Sequence, residues 1–193
     1  QYQSIGDLTG SHIKALNCNP IAVFSGNTWA AFCNEGNSRN PSGGDNLYQQ
    51  VFPVAAWGKN FVTVPFYNTL NGNTDIMRII VADDNTVLTV NGSTVSANGT
   101  PLANPYSKGA VVTFFSTTAN VISGSKPISV AQYQTSQTCN PNNAQDTRQG
   151  GPYLGDPEIT VLNPVVQTLN IITVFSDLYS VKVPTQSAVS YLS

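Results

Sequence analysis

The sequence predicts an all-β protein, antiparallel and sandwich-like, with an internal pseudo-repeat. Three observations lead there. The apolar runs are short and rich in Val, Ile and Thr, the residues that suit a pleated, half-buried surface. Gly, Pro, Asn and Asp bound nearly every run, which is strand-and-turn punctuation. No window of about eleven residues or more carries a 3.6 period with caps at both ends.

Taken in order, the expected strands are Ile21–Ser25, Thr28–Cys33, Phe61–Pro65, Met77–Ala82, Val87–Val90, Val111–Ser116, Ile128–Gln134, Ile159–Leu162 and Ile171–Phe175. The first two read as one hairpin about a Ser25-Gly26 turn. Asp83-Asp84-Asn85 joins Met77–Ala82 to Val87–Val90. Asn91-Gly92 then supplies two residues that accept φ > 0, as a type I′ hairpin turn requires. Asn34–Asn46 and Asn140–Gly155 are polar and rich in Gly and Pro. They read as long surface loops, which in compact domains are often functional.

Composition narrows the function classes. Charged residues make up 9% of the chain and the net charge is -2, against a usual charged fraction of ~25%. Polarity resides instead in Asn, Thr, Ser and Gln, which are 69 of 193 residues. Without a basic cluster there is no electrostatic footprint for nucleic acid. No apolar run approaches the ~20 residues of a membrane-spanning helix, so no membrane insertion is expected. Recurrent Val, Ile, Phe and Tyr argue against disorder. Gln1 in place of Met reads as a processed or excised end. The Lys-poor, Ser/Thr/Asn/Gln-rich composition suits an extracellular protein.

A pair of echoes runs through the chain. Pro20-Ile21-Ala22-Val23 matches Pro127-Ile128-Ser129-Val130, and each is followed by a Cys-Asn pair, Cys33-Asn34 and Cys139-Asn140. Pro53-Val54 then matches Pro164-Val165, and Thr63-Val64 matches Thr173-Val174. Four matched points in one order predict two related units, 1–118 and 119–193. The second is shorter and stops inside an apolar-polar alternation, so the chain reads as a piece of a longer polypeptide.

Three cysteines allow one disulfide and leave one thiol over. A Ser25-Gly26 turn would set Cys18 opposite Cys33, and non-hydrogen-bonded pairs bring Cα atoms to ~4.5 Å, near disulfide reach. Cys18–Cys33 is the favoured pairing. Cys33–Cys139, which joins equivalent positions of the two units, is its rival.

The residue inventory does not assemble a reaction centre. His12 is the only histidine, so any serine or cysteine nucleophile would have to be built on it. Three Cys without paired spacing do not make a zinc site. Gly43-Gly44 and Gly150-Gly151 form no phosphate-cradling motif. Asp156 and Glu158 would share a strand face, and paired carboxylates can cleave glycosides. Pro157 between them marks a loop entering a strand, where Asp156 serves as a backbone cap. Asp83, Asp84 and Asn85 are weak calcium candidates, because Ca²⁺ takes six to eight oxygens and one tight turn supplies too few. No catalytic residue and no cofactor are therefore expected. Exposed aromatics offer a binding chemistry instead, by stacking on sugars or anchoring a partner. Trp29, and Tyr153, Asn142 and Asn143 in the second long loop, are the candidate binding residues. Trp57 is expected in the core.

Several blocks resemble one known family. Asp7-Leu8-Thr9-Gly10-Ser11-His12-Ile13 with Asn19-Pro20-Ile21-Ala22-Val23-Phe24-Ser25-Gly26 looks like the opening of the IgGFc-binding-protein N-terminal domain family. Asp45-Asn46-Leu47-Tyr48-Gln49-Gln50-Val51-Phe52-Pro53 and Trp57-Gly58-Lys59-Asn60-Phe61 are similar to its next block. Asp84–Gly92 resembles its central hairpin, and Lys126–Tyr133, Gly155–Glu158 and Leu162-Asn163-Pro164 resemble later blocks. The resemblance spans residues 7 to 176. It implies a secreted, non-enzymatic, adhesin-like module. The Asn-rich wording resembles the branch found in gliding-motility and type IX-secreted surface proteins of Bacteroidetes-type bacteria. The implied partners are an extracellular glycan or protein, neighbouring domains of a longer chain and the secretion machinery. A structural spacer in a surface filament is the alternative, and a glycosidase-like enzyme the third reading.

Overall fold

The computed structural model describes residues 2–17, 19–33, 43–66, 74–136, 139 and 156–168. Among them the fold is all-β and antiparallel, with sheets packed as a sandwich. Eight strands run in order: β1 (Phe24–Ala30), β2 (Asp45–Gln50), β3 (Gly58–Thr63), β4 (Asp75–Val81), β5 (Leu88–Val90), β6 (Val111–Ser116), β7 (Asn120–Gln134) and β8 (Glu158–Val161). Short 3-10 turns occupy Val54–Ala56 and Val165–Gln167.

β7 organises the main sheet. Its 15 residues pair with β3 and β5 along the first part and with β4 and β8 along the second. β6 continues the sheet beyond β4. The change of partners falls at Gly124–Pro127, where register jumps from Asn60↔Ser123 to Gly58↔Ile128. Proline gives no ladder N–H, so it sits where pairing is interrupted. At Gly124 a Cβ would come within 2.7 Å of the Lys126 carbonyl oxygen, so the bend requires glycine.

The core follows from period-2 alternation. Met77, Ile79 and Val81 of β4 are buried, while Ile76, Arg78 and Ile80 between them are half-buried. They pack with Phe61, Leu88, Val90, Val112, Phe114, Ile122, Ile128 and Val130. One polar knot lies at the edge of this core. The buried Asn120 amide donates to Thr63 Oγ1, Ser116 Oγ and the Thr118 carbonyl at 3.2, 2.8 and 2.8 Å. It joins the ends of β3, β6 and β7, because a buried amide must find partners.

The expected turns are present. Asn91 (φ 53°) and Gly92 (φ 77°) close the two-residue turn, with Val90 and Ser93 exchanging both backbone hydrogen bonds. Asn85 takes φ 57° in the Asp83-Asp84-Asn85 turn.

The first hairpin differs from expectation. No turn forms at Ser25-Gly26; β1 runs straight through both and pairs with β2, Phe24↔Gln50 to Ala30↔Asp45. Gly26 is used for close approach, since a Cβ there would collide with the Leu47 carbonyl oxygen. Without that turn Cys33 is not directed back toward Cys18. Cys33 bonds instead to Cys139, with Cα atoms 5.3 Å apart. This corrects the favoured Cys18–Cys33 pairing, and Cys18 itself lies outside the described residues. Ile171–Phe175 also lies outside them. The strands from before residue 118 and β7 after it share one sheet, so the sequence-based boundary passes between hydrogen-bonded neighbours.

Two outcomes test this account. Replacing both Cys33 and Cys139 by Ser opens a loop with a separation of 106 residues. The chain-entropy model then gives a loss of about 4–5 kcal/mol, read by denaturant unfolding. Asn120→Ala leaves buried partners unpaired and costs about 1–3 kcal/mol in the same assay.

Candidate functional site

The β1–β2 hairpin stands out because its side chains are largely exposed, whereas the main sheet buries one face. Phe24 and Tyr48 are 50% and 67% exposed and stack face to face, centroids 5.3 Å apart with planes at 4°. Their positions explain the contact: Phe24 pairs with Gln50 and Gly26 with Tyr48, which makes Phe24 and Tyr48 diagonal neighbours on one face. Trp29, 67% exposed, lies farther along β1, where the register shifts between Asn27 and Ala30. Its backbone N–H donates to Asn27 Oδ1 at 3.1 Å. Gly44 passes beneath the indole so closely that a Cβ would sit 2.6 Å from the ring.

The hairpin is tied down at one end. Phe32 N–H donates to Ser136 Oγ and Ser136 N–H donates to the Phe32 carbonyl, both at 3.0 Å. Next to this pair is Cys33–Cys139, with Cys139 buried. The disulfide therefore joins the two points in the sequence at which the long polar segments begin, one directly after Cys33 and one directly after Cys139. Residues 34–42 and 140–155 lie outside the described residues, and Tyr153, Asn142 and Asn143 lie among them. Of the candidate binding residues, Trp29 is the one whose surroundings are described.

A second chain of contacts leads from this root to the N-terminal segment. Phe32 meets Tyr133 edge-on at 6.1 Å, and the Arg78 guanidinium lies 5.7 Å from the Tyr133 ring centroid. Arg78 Nη1 also reaches Asp7 Oδ2 and Thr9 Oγ1, each at 3.1 Å. Burial pushes the Tyr133 phenol upward, and the Arg78 charge works against it. Hydrogen bonds from the Thr9 hydroxyl and N–H hold Asp7 below its ordinary 3.8, with Arg78 adding to the effect.

The other sequence candidates have local roles. Asp84 Oδ1 accepts from Lys108 N–H at 2.9 Å, its carbonyl accepts from Lys126 Nζ, and Thr86 Oγ1 donates to the Asp83 carbonyl. Asp83, Asp84 and Asn85 thus brace a turn. Among the described residues no three His, Cys, Asp or Glu side chains converge as a metal site. His12, Asp156 and Glu158 are exposed. Trp57 is half-buried and donates its indole N–H to the Phe52 carbonyl at 3.1 Å. Phe24 was the residue that sequence reading did not single out. A diagonal pairing with Tyr48 becomes visible only once β2 is known to be β1's partner.

The Asp7 contacts carry a pH dependence. A carboxylate lowered in the folded state contributes stability above its ordinary value of 3.8 and loses it as pH falls through the folded value. Stability of the wild type should fall on acidification through this window. Asp7→Asn should show a shallower acid slope in denaturant unfolding at a series of pH values.

No described helix is long and apolar enough to cross a membrane. A search of curated proteins and one of solved structures each returned no match. The family model described as IgGFc binding protein matches residues 1–191. With the Cys33–Cys139 bond, which oxidising compartments sustain, this indicates an extracellular binding domain, and the chain belongs to the IgGFc-binding protein family.

Proposed function

We propose that this domain is a non-enzymatic binding module of a larger cell-surface adhesin, and that it holds an extracellular glycan or protein through the disulfide-rooted end of the β1–β2 hairpin. One observation carries this reading. The Cys33–Cys139 bond joins the roots of two long polar segments beside a hairpin that exposes Phe24, Trp29 and Tyr48. Flat aromatic faces stack on sugar rings and anchor partner side chains at low entropic cost. Asn and Gln in the adjoining segments supply neutral donors and acceptors. Recognition of this kind depends little on ionic strength, in keeping with 9% charged residues.

The finer assignment, a gliding-motility adhesin exported by type IX secretion, draws on the Asn-rich residues 140–143 and on the bacterial branch they resemble. It is tested by the parent gene, which should encode a C-terminal secretion signal and further domains.

Binding is tested with the 193-residue chain on a glycan array, with purified mucins and an immunoglobulin Fc fragment as protein probes. A positive probe should lose about tenfold in affinity with Trp29→Ala, the typical effect of truncating an aromatic anchor. The melting temperature should stay near wild type, since the indole is exposed. Silence across the panel would sink the binding reading and favour the structural spacer.

A further inference from the structure

One edge of β1 is open. β2 lies against β8, and among the described residues β2 is the one ladder neighbour of β1. The Val51 N–H donates to the Val23 carbonyl at 3.0 Å, so Val23 faces β2. Alternation then turns the backbone groups of Ser25 and Asn27 toward β2 and those of Phe24 and Gly26 outward. Natural edge strands are usually blunted by charged side chains or proline. Phe24–Ala30 has neither. Asp45, the charged residue of β2, stands opposite Ala30, at the other end of the ladder from Phe24.

The molecule itself shows what such an edge receives. Adding 107 to positions 24–27 gives 131–134, and adding 111 to positions 47–50 gives 158–161. The ladder Phe24↔Gln50, Ser25↔Gln49, Gly26↔Tyr48, Asn27↔Leu47 then becomes Ala131↔Val161, Gln132↔Thr160, Tyr133↔Ile159, Gln134↔Glu158, and all four pairs agree. Leu162 N–H donates to the Val130 carbonyl at 2.9 Å, as Val51 does to Val23. In this second hairpin the outward residues Ala131 and Tyr133 pair with Arg78 and Ile76 of β4, an antiparallel strand. The equivalent edge of β1 carries no such strand among the described residues.

The open edge is complementary to itself. In an isologous contact residue i meets residue j and j meets i. A two-fold axis beside Ser25 sets Phe24 opposite Gly26 of a second copy, Gly26 opposite its Phe24, and Ser25 opposite its Ser25. Phe24 and Gly26 are the residues whose N–H and C=O point outward, so each of these pairs can exchange both hydrogen bonds. The side chains match as well. Phe24 and Tyr48 stack on one face, and Gly26, opposite Tyr48, leaves that face bare beside them. An aromatic ring across from a strand glycine covers its exposed backbone. Phe24 of the second copy takes that place and covers the half-exposed pair of rings. Charge favours a copy of the same chain. Both apposed edges are neutral, and each Asp45 lies on the outer strand away from the axis.

We propose that the outer edge of β1 is a self-association surface, occupied by β1 of a second copy of this chain in an antiparallel pairing about Ser25. The two hairpins become one continuous sheet in the order β2-β1-β1-β2. Each copy uses its open β1 edge, so the assembly closes as a dimer. Trp29 lies past the register shift that follows Asn27 and outside this pairing. A dimer thus presents two copies of the Trp29 end, and a multivalent ligand gains avidity without any new contact. Pairing requires no ligand, so it stands or falls separately from the binding role of Trp29.

The test is sedimentation equilibrium of the 193-residue chain over a concentration series, without ligand. The wild type should show a monomer–dimer equilibrium that stops at the dimer. Phe24→Lys removes the ring and places a cation at the edge, and it should weaken the dimer at least about tenfold. Its thermal unfolding should stay near wild type, since Phe24 is half-exposed. A second variant reads the register directly. In a Cys18→Ser background, Ser25→Cys brings two thiols together at a non-hydrogen-bonded pair, ~4.5 Å between Cα atoms and within disulfide reach. Mild oxidation should therefore convert it to a covalent dimer, whereas Gln49→Cys on β2 should remain monomeric under the same treatment. The proposal is overturned if the wild type stays monomeric up to about 1 mM, or if it grows beyond a dimer. It is equally overturned if the dimer survives Phe24→Lys unchanged, or if Ser25→Cys crosslinks no better than Gln49→Cys.

Discussion

An exposed two-stranded hairpin is marginal in water by itself, and the β1–β2 hairpin has little buried surface of its own. What holds it is the covalent tie from Cys33 to Cys139 beside the paired Phe32–Ser136 hydrogen bonds. The exposed hairpin end of the fold depends on that tie. It holds the root of a hairpin whose β2 lies against β8.

The main sheet provides the fixed ground for this arrangement. β7 serves both parts of the sheet because Gly124–Pro127 interrupts its ladder and lets it change partners. The same strand carries Ile122, Ile128 and Val130 into the core and Ser136 follows shortly after its end, two residues beyond Gln134. Core packing and hairpin anchoring are thus parts of one length of chain. A domain built in this way holds an exposed hairpin on a packed base.

Charge has a small and local part. Arg78 and Asp7 form an ion pair, and it fastens the N-terminal segment beside Tyr133. Neutral side chains carry the polar work. Asn91 bonds Asn120 and Val121, Asn104 bonds both backbone groups of Leu88, and Asn120 gathers three acceptors. The abundance of Asn therefore has a structural use before any ligand is considered: its amide can stand in for a missing strand neighbour.

Strand content, the Asn91-Gly92 turn and the span Val111–Ser116 were legible in the sequence, because each depends on neighbours a few residues apart. The matching Pro-Ile-x-Val, Cys-Asn and Pro-Val points were legible too, as repeated wording. β2 was not, since Asp45–Gln50 has no β-branched residue and gains its strand from pairing with β1. Nor was the length of β7, which crosses Gly124 and Pro127 because strands on both sides support it. Local side-chain chemistry therefore determined the class of structure, its turns and its extracellular, low-charge character. The tertiary structure decided which cysteine Cys33 meets and which aromatics share a face, because those choices rest on strands brought together from positions tens of residues apart.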